Sequence, residues 1–282
     1  AELVYSGGRL SEYGGATARL ESVLSQVYEA VYAYAPKPFF TQYQERQLKT
    51  AVTRVCEQLI CGQVSLDKLA SSDKGPSRDL VTKFLKQAWG LLTDGDLLRE
   101  PPEGSPLRPG WNRLDQTFRP DNVRVPVKPV VQELLQAPFG YDANTLALLF
   151  CAWYGYNRSE VQFFSQNTST PVAPEAVFRQ AKRSTTDEFK TPKDLLKTLL
   201  TLSLQRRSRS EAEQQIRSLL QRIEQGAPAF ASSMVKETLL QLRQAFDNPH
   251  LPQDLKDRLP ASIDRLEQDY RHYQHYDETL RT

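Results

Sequence analysis

The sequence predicts a mainly α protein: a helical bundle with a small winged-helix-like α+β unit and a C-terminal helical hairpin or arm. Three observations predict it. Apolar residues recur at three-and-four spacing over most of the chain, which marks one buried face per helix. One stretch, from Val123 to Phe164, instead reads strand, helix, turn, helix, strand, the outline of a winged helix. Beyond residue 172 the helical pattern returns with more charge. The expected division is an N-terminal helical region over 1–100, a Pro-rich connector and winged-helix-like unit over 101–172, and a helical arm over 173–282.

The elements follow in order. Gly7-Gly8 and Gly14-Gly15 read as a flexible lead-in to the first helix. That helix runs from Ala16 to Ala35, with Leu20, Val23, Leu24, Val27, Tyr28, Val31 and Tyr34 on one inward face, and Pro36 and Pro38 stop it. A second helix starts at Thr41 with Gln44 as capping partner, buries Leu48, Val52, Val55 and Leu59, and closes at Gly62. A third runs from Pro76 to Thr93 with Val81, Phe84, Leu85, Ala88 and Leu92 inward. Between Gly95 and Pro129 the prolines are too many for regular helix, and Trp111, Leu114 and Phe118 anchor a wrapped connector.

Val123, Val125 and Val127 alternate, an edge strand interrupted by Pro126. A short helix from Val130 to Gln136 leads to the turn Ala137-Pro138-Phe139-Gly140-Tyr141, where Pro138, Phe139 and Gly140 are the structurally demanding residues. Asp142 caps an apolar helix reaching Trp153 or Tyr156, and Val161, Phe163 and Phe164 form the next strand. Thr191 and Pro192 open a helix. Ser210-Glu211-Ala212-Glu213 reads as a capping box, before a helix with Ile216, Leu219, Leu220 and Ile223 inward. Two further helices span about Ser232 to Phe246 and Gln253 to Glu278.

Composition narrows the function. The chain has 282 residues, 39% hydrophobic, with a net charge of +2, which suits a packed core rather than disorder. Near-neutrality excludes attachment to nucleic acid by bulk charge alone. No apolar run is long enough to span a membrane and no secretory pattern opens the chain, so a cytoplasmic protein without a membrane partner is expected. It opens on Ala1, and its only methionine is Met234, from which a piece of a longer polypeptide is expected. Cys56, Cys61 and Cys151 form no C-x-x-C and read as small hydrophobes.

No catalytic constellation emerges. There is no Walker A loop, no G-x-G-x-x-G, no nucleophile elbow and no isolated carboxylate pair. His272 and His275 have a spacing that zinc allows but read as the end of an amphipathic helix, so no metal and no cofactor is expected in this piece. The expectation is a non-enzyme. One nucleic-acid signal stands out. Between Arg179 and Arg209 nine Lys/Arg face three Asp/Glu, with Lys182, Arg183, Arg206, Arg207 and Arg209 the candidates for phosphate or DNA contact. Base reading by the helix from Asp142 to Tyr156 is not expected. It contains no Lys or Arg, and an all-round apolar helix wants burial.

Three stretches together resemble a known family. They are Val27-Tyr28-Glu29-Ala30-Val31-Tyr32-Ala33-Tyr34-Ala35-Pro36 before the Arg46-Gln47-Leu48-Lys49 helix; Trp89-Gly90-Leu91-Leu92 at the end of the third helix; and Leu134-Leu135-Gln136-Ala137-Pro138-Phe139-Gly140-Tyr141 with the strand Val161-Gln162-Phe163-Phe164. Their order resembles the region after the nucleotide-binding core in large P-loop ATPases of BREX-type phage-defence systems. The match spans about residues 20–170, and Ala137-Pro138-Phe139-Gly140 departs from that family's Pro-Pro-Tyr-Gly turn. The resemblance implies an ATP-hydrolysing parent that uses ATP and Mg, with this piece a non-catalytic part. Its implied roles are assembly, docking of other defence proteins or a second copy, and DNA engagement through 179–209. The alternative is a free-standing helical adaptor for protein–protein interaction with no ATPase parent.

Overall fold

A computed structural model describes residues 2–6, 9–13, 17–36, 45–60, 62, 64–66, 69, 75–166, 171–172, 177, 191–225, 232–246 and 251–279. The protein is mainly α with one four-stranded antiparallel sheet and a separate two-stranded hairpin.

Strands β1 (Glu2–Ser6) and β2 (Arg9–Tyr13) pair antiparallel with Ser6 opposite Arg9, where the sequence suggests only a lead-in. Helix α1 (Thr17–Val31) ends before Pro36, as a proline ahead requires. Helix α2 (Glu45–Leu59) buries Val52, Val55 and Leu59 as its periodicity predicts, while Thr41 and Gln44 lie outside the described residues. The third helix starts at Pro76 as α3 (Pro76–Asp79). It then widens into a π-helix (Leu80–Ala88) that ends on the Trp89 N–H bond to the Phe84 carbonyl oxygen, 2.7 Å. Ala88 is consequently exposed rather than inward.

The Pro-rich connector holds a helix after all, α4 (Arg108–Thr117). Pro109 sits in its first turn, where a missing N–H has no intrahelical partner to lose. Trp111, Leu114 and Phe118 are buried, as expected of anchors.

The winged-helix-like unit then follows. Strand β3 (Arg124–Pro126) leads to α5 (Lys128–Leu134), the turn to α6 (Ala143–Tyr156), and then strand β4 (Val161–Ser165). Asp142 caps α6 by accepting the Thr145 N–H at 2.7 Å. Strand β5 (Pro171–Val172) and helix α7 (Pro192–Leu199) precede β6 (Leu202–Arg206), which the helical reading of this region passes over. The sheet order is β3-β6-β4-β5, so β6 lies between the two strands read from the sequence. Both α7 and β6 come from the segment assigned above to the C-terminal arm. Helix, strand, helix, helix, strand and returning central strand is the winged-helix order, with the stretch between β4 and β6 enlarged.

Helices α8 (Arg209–Glu224), α9 (Ser232–Phe246) and α10 (Gln253–Thr279) complete the chain. The capping box of α8 lies two residues earlier than the sequence pattern suggests. Ser208 accepts the Glu211 N–H, and Glu211 returns the bond to the Ser208 N–H.

Two hydrophobic cores result. The larger takes buried residues from Val52 to Leu204 and is centred on α6, whose residues from Thr145 to Gly155 are all buried. Helix α2 packs so closely on α6 that a Cβ at Gly155 would overlap the Leu59 carbonyl oxygen. The smaller core runs from Ile216 to Leu266 and is made by α8, α9 and α10 with Leu251 just ahead of α10.

Candidate functional site

Three places gather the residues singled out by sequence. The first is the turn after α5. Gly140 has φ +60°, the left-handed region that glycine tolerates, and the Ala137–Pro138 peptide is cis. The Phe139 and Gly140 N–H groups both donate to the Gln136 carbonyl oxygen, at 2.9 and 2.8 Å. Phe139 is buried, and its ring lies 5.5 Å from Tyr34 and 5.8 Å from Tyr141. The Tyr34 N–H donates to the Pro138 carbonyl oxygen at 3.0 Å. The tyrosine-rich segment after α1 therefore sits directly on the Pro–Phe–Gly turn. Tyr141 anchors the turn from below: its hydroxyl accepts the Gly110 N–H and donates to the Pro106 carbonyl oxygen, both at 3.2 Å. Burial pushes this phenol well above its ordinary value, and the Gly110 N–H opposes in part.

Of the residues expected inward on α1, Leu24, Tyr28, Val31 and Tyr34 are 58%, 44%, 45% and 43% exposed, Val27 is half-buried, and the side chains of Leu20 and Val23 lie outside the described residues. The spacing of four and three puts Leu24, Tyr28 and Val31 on one side of α1; Tyr34 follows the helix end, and Leu135 before the turn is exposed as well. A row of exposed apolar side chains of this kind on a chain with no shortage of charged residues is the form of an interaction face.

The second place is the basic run. The structure puts Arg206 inside a polar network rather than out in solvent. Its Nε donates to Glu160 Oε2 at 3.0 Å, Nη1 to Asp115 Oδ1 at 2.6 Å and Nη2 to Asn157 Oδ1 at 2.8 Å. Glu160 is buried, and its second oxygen accepts Arg209 Nε at 3.0 Å. Trp153 Nε1 donates to the same Asp115 oxygen at 3.0 Å, and Arg206 and Arg209 lie 5.6 Å from the Trp153 and Tyr156 ring centres. Two carboxylates and two guanidiniums cancel here. The network ties α4, the end of α6, the following turn, β6 and the start of α8 together, so of the cations singled out for phosphate contact Arg206 and Arg209 already hold carboxylate partners. Lys182 and Arg183 lie outside the described residues.

Arg207 differs. It donates through Nη1 to Gln215 Oε1 and through Nη2 to Gln162 Oε1 at 3.3 Å, with no carboxylate within ion-pair reach among the described residues. Sequence spacing could not separate it from its neighbours, because its amide partners come from β4 and α8.

The third place is the helix α6 itself. In a DNA-reading winged helix this element enters the groove. Here α2, α4 and α7 pack on it, and its length is inside the core. Cys151 on this helix is buried too; burial, and then the adjacent Cys56, raises its thiol well above the ordinary value, the reverse of an activated nucleophile. Among the described residues no three His, Cys, Asp or Glu side chains gather as a metal site, and the side chains of His272 and His275 lie outside them. No helix among them is long and apolar enough to cross a membrane.

Fold and site thus define a mainly α protein carrying a winged-helix-like unit with its groove helix buried. Compared with known proteins, the chain matches no family model, no curated protein and no solved structure.

Proposed function

We propose that the chain is a non-catalytic docking module of a large P-loop ATPase of the BREX type, acting in assembly or partner docking within a phage-defence system. ATP and Mg²⁺ belong in this reading to the parent, in a nucleotide site this piece does not contribute. The observation that carries it is the seating of the tyrosine-rich α1 end on the Pro–Phe–Gly turn, through Tyr34 N–H and the Pro138 carbonyl oxygen. Two segments far apart in sequence, both part of the resemblance, meet there and leave the outer stripe of α1 open to a partner.

Protein docking ranks ahead of DNA engagement. The groove helix is buried, Arg206 and Arg209 are held by carboxylates, and Arg207 is held by amides. The exposed stripe suits a free-standing helical adaptor equally, and this is the second reading. One experiment separates them: determine the open reading frame around this segment and assay the whole product for ATP hydrolysis. Walker A and B motifs upstream, with hydrolysis altered by Leu24→Ser plus Tyr28→Ser, is the expected result. A frame without them leaves only the adaptor. A titration with duplex DNA at two salt concentrations tests the remaining class, and strong salt-dependent binding at low salt overturns the ranking.

A further inference from the structure

Between the β4–β5 edge of the sheet and helices α8 and α9 lies a cavity of about 60 Å³, lined among others by Gln162, Val172, Arg207, Gln215, Ile216 and Gln241. We infer that this cavity receives the carboxylate of an acidic side chain presented by a partner polypeptide. It stands on the cavity alone, with or without an ATPase parent.

The charge argument comes first. Arg206 and Arg209 are neutralised by Asp115 and Glu160, so Arg207 is the cation left over beside them. Glu211 feels its field, but that carboxylate is already bound by the Ser208 N–H and hydroxyl, which are the larger causes of its lowered pKa. The glutamine oxygens orient Arg207 without supplying charge. A half-buried guanidinium with only neutral acceptors favours an anion arriving.

Donor chemistry points the same way. Gln215 Nε2 donates to Gln241 Oε1 at 3.1 Å, so the oxygens of all three glutamines accept bonds inside the ladder. The amide N–H groups of Gln162 and Gln241 have no acceptor among the described residues, and Glu160, the one carboxylate in the lining, is already held by Arg206 and Arg209. Val172 and Ile216 flank it with apolar surface suited to side-chain methylenes. Size is compatible with this occupant: one water needs roughly 10–15 Å³ of such space, so about 60 Å³ admits a carboxylate head group.

The test is a titration of the ¹⁵N-labelled chain with the peptide acetyl-Ala-Leu-Glu-Leu-Ala-amide, its Gln counterpart, and inorganic phosphate. The side-chain amide signals of Gln162, Gln215 and Gln241 and the Nε–H of Arg207 are followed by NMR. The expected result is saturable shifts with the Glu peptide, with Kd on the order of 1 mM. The Gln peptide should bind at least about tenfold more weakly, and salt should weaken the Glu peptide. Arg207→Gln should abolish the shifts, and Arg207→Lys, which keeps the charge, should retain part of them. Equal binding of both peptides, tighter binding of phosphate than of the Glu peptide, or no shift at all overturns the proposal. Thermal melts of both variants identify any loss that comes from unfolding.

Discussion

Gly140 carries two constraints at once. Its φ of +60° costs any L side chain about 1–2 kcal/mol, and a Cβ there would overlap the Tyr32 ring, whose Cγ would be 2.9 Å away. Gly140→Val adds a branched side chain to both problems, so a loss of about 2–4 kcal/mol in urea unfolding is expected. A variant that melts like the parent removes the claim. Arg206 is the other decisive residue. Arg206→Gln leaves the buried Glu160 with Arg209 alone and the half-exposed Asp115 with the Trp153 N–H alone, and about 2–3 kcal/mol of stability should go with it. Calorimetry on this variant separates the two roles: unchanged stability together with weakened DNA binding would restore Arg206 as a phosphate contact. The turn was legible because Pro–aromatic–Gly announces its own backbone. The network was not. Charge counting gives a surplus of six over 179–209, but the two carboxylates that pair with Arg206 lie 46 and 91 positions away.

At the scale of elements, the helices with one-sided or all-round apolar patterns were readable, α2 and α6 above all. Strand β6 was missed although Leu202-Ser-Leu-Gln alternates, because five residues between two helices give a weak signal against strong neighbours. The stripe on α1 shows the converse limit. Periodicity identifies a face but not what covers it. Among the described residues the C-terminal helices are linked by three exposed ion pairs: Arg258 with Glu224, Arg217 with Asp254 and Arg243 with Glu267. In each, the hydrogen bond from the arginine is the largest cause holding the carboxyl below its usual value. A carboxyl with a folded pKa below its unfolded one stabilises fully above the ordinary range, about pH 4, and the gain is lost as pH falls through the lowered values. The helicity of α8–α10 should therefore melt at a constant temperature from about pH 7 to about pH 5 and earlier below about pH 4. High salt should flatten the profile, since these pairs face water. A midpoint insensitive to both acid and salt would show that the pairs contribute nothing.

The described residues form two cores in series, and the chain passes from one to the other where β6 runs through Arg207 and Ser208 into α8. One core holds α2 to β6 around α6; the other holds α8 to α10. Arg209, bonded to Glu160, and the Arg207–Gln215 contact tie the second to the first, and Phe163 and Val172 line the same cavity as Ile216 and Ala245. Cooperativity between cores that meet across a cavity should be incomplete, since the contact between them is small beside the apolar burial within each. The chain offers its own probe. Trp89, Trp111 and Trp153, the only tryptophans, are all buried in the first core. Helical ellipticity reports both cores, and tryptophan fluorescence reports one. In urea the ellipticity should fall in two steps, with the fluorescence change confined to one of them. Coincident curves would mean that the joint couples the cores into a single unit. In that case the Arg207 cavity at their junction would sit in rigid structure, and a ligand there would raise the midpoint of both signals together; with separate steps, it should first stabilise the weaker core.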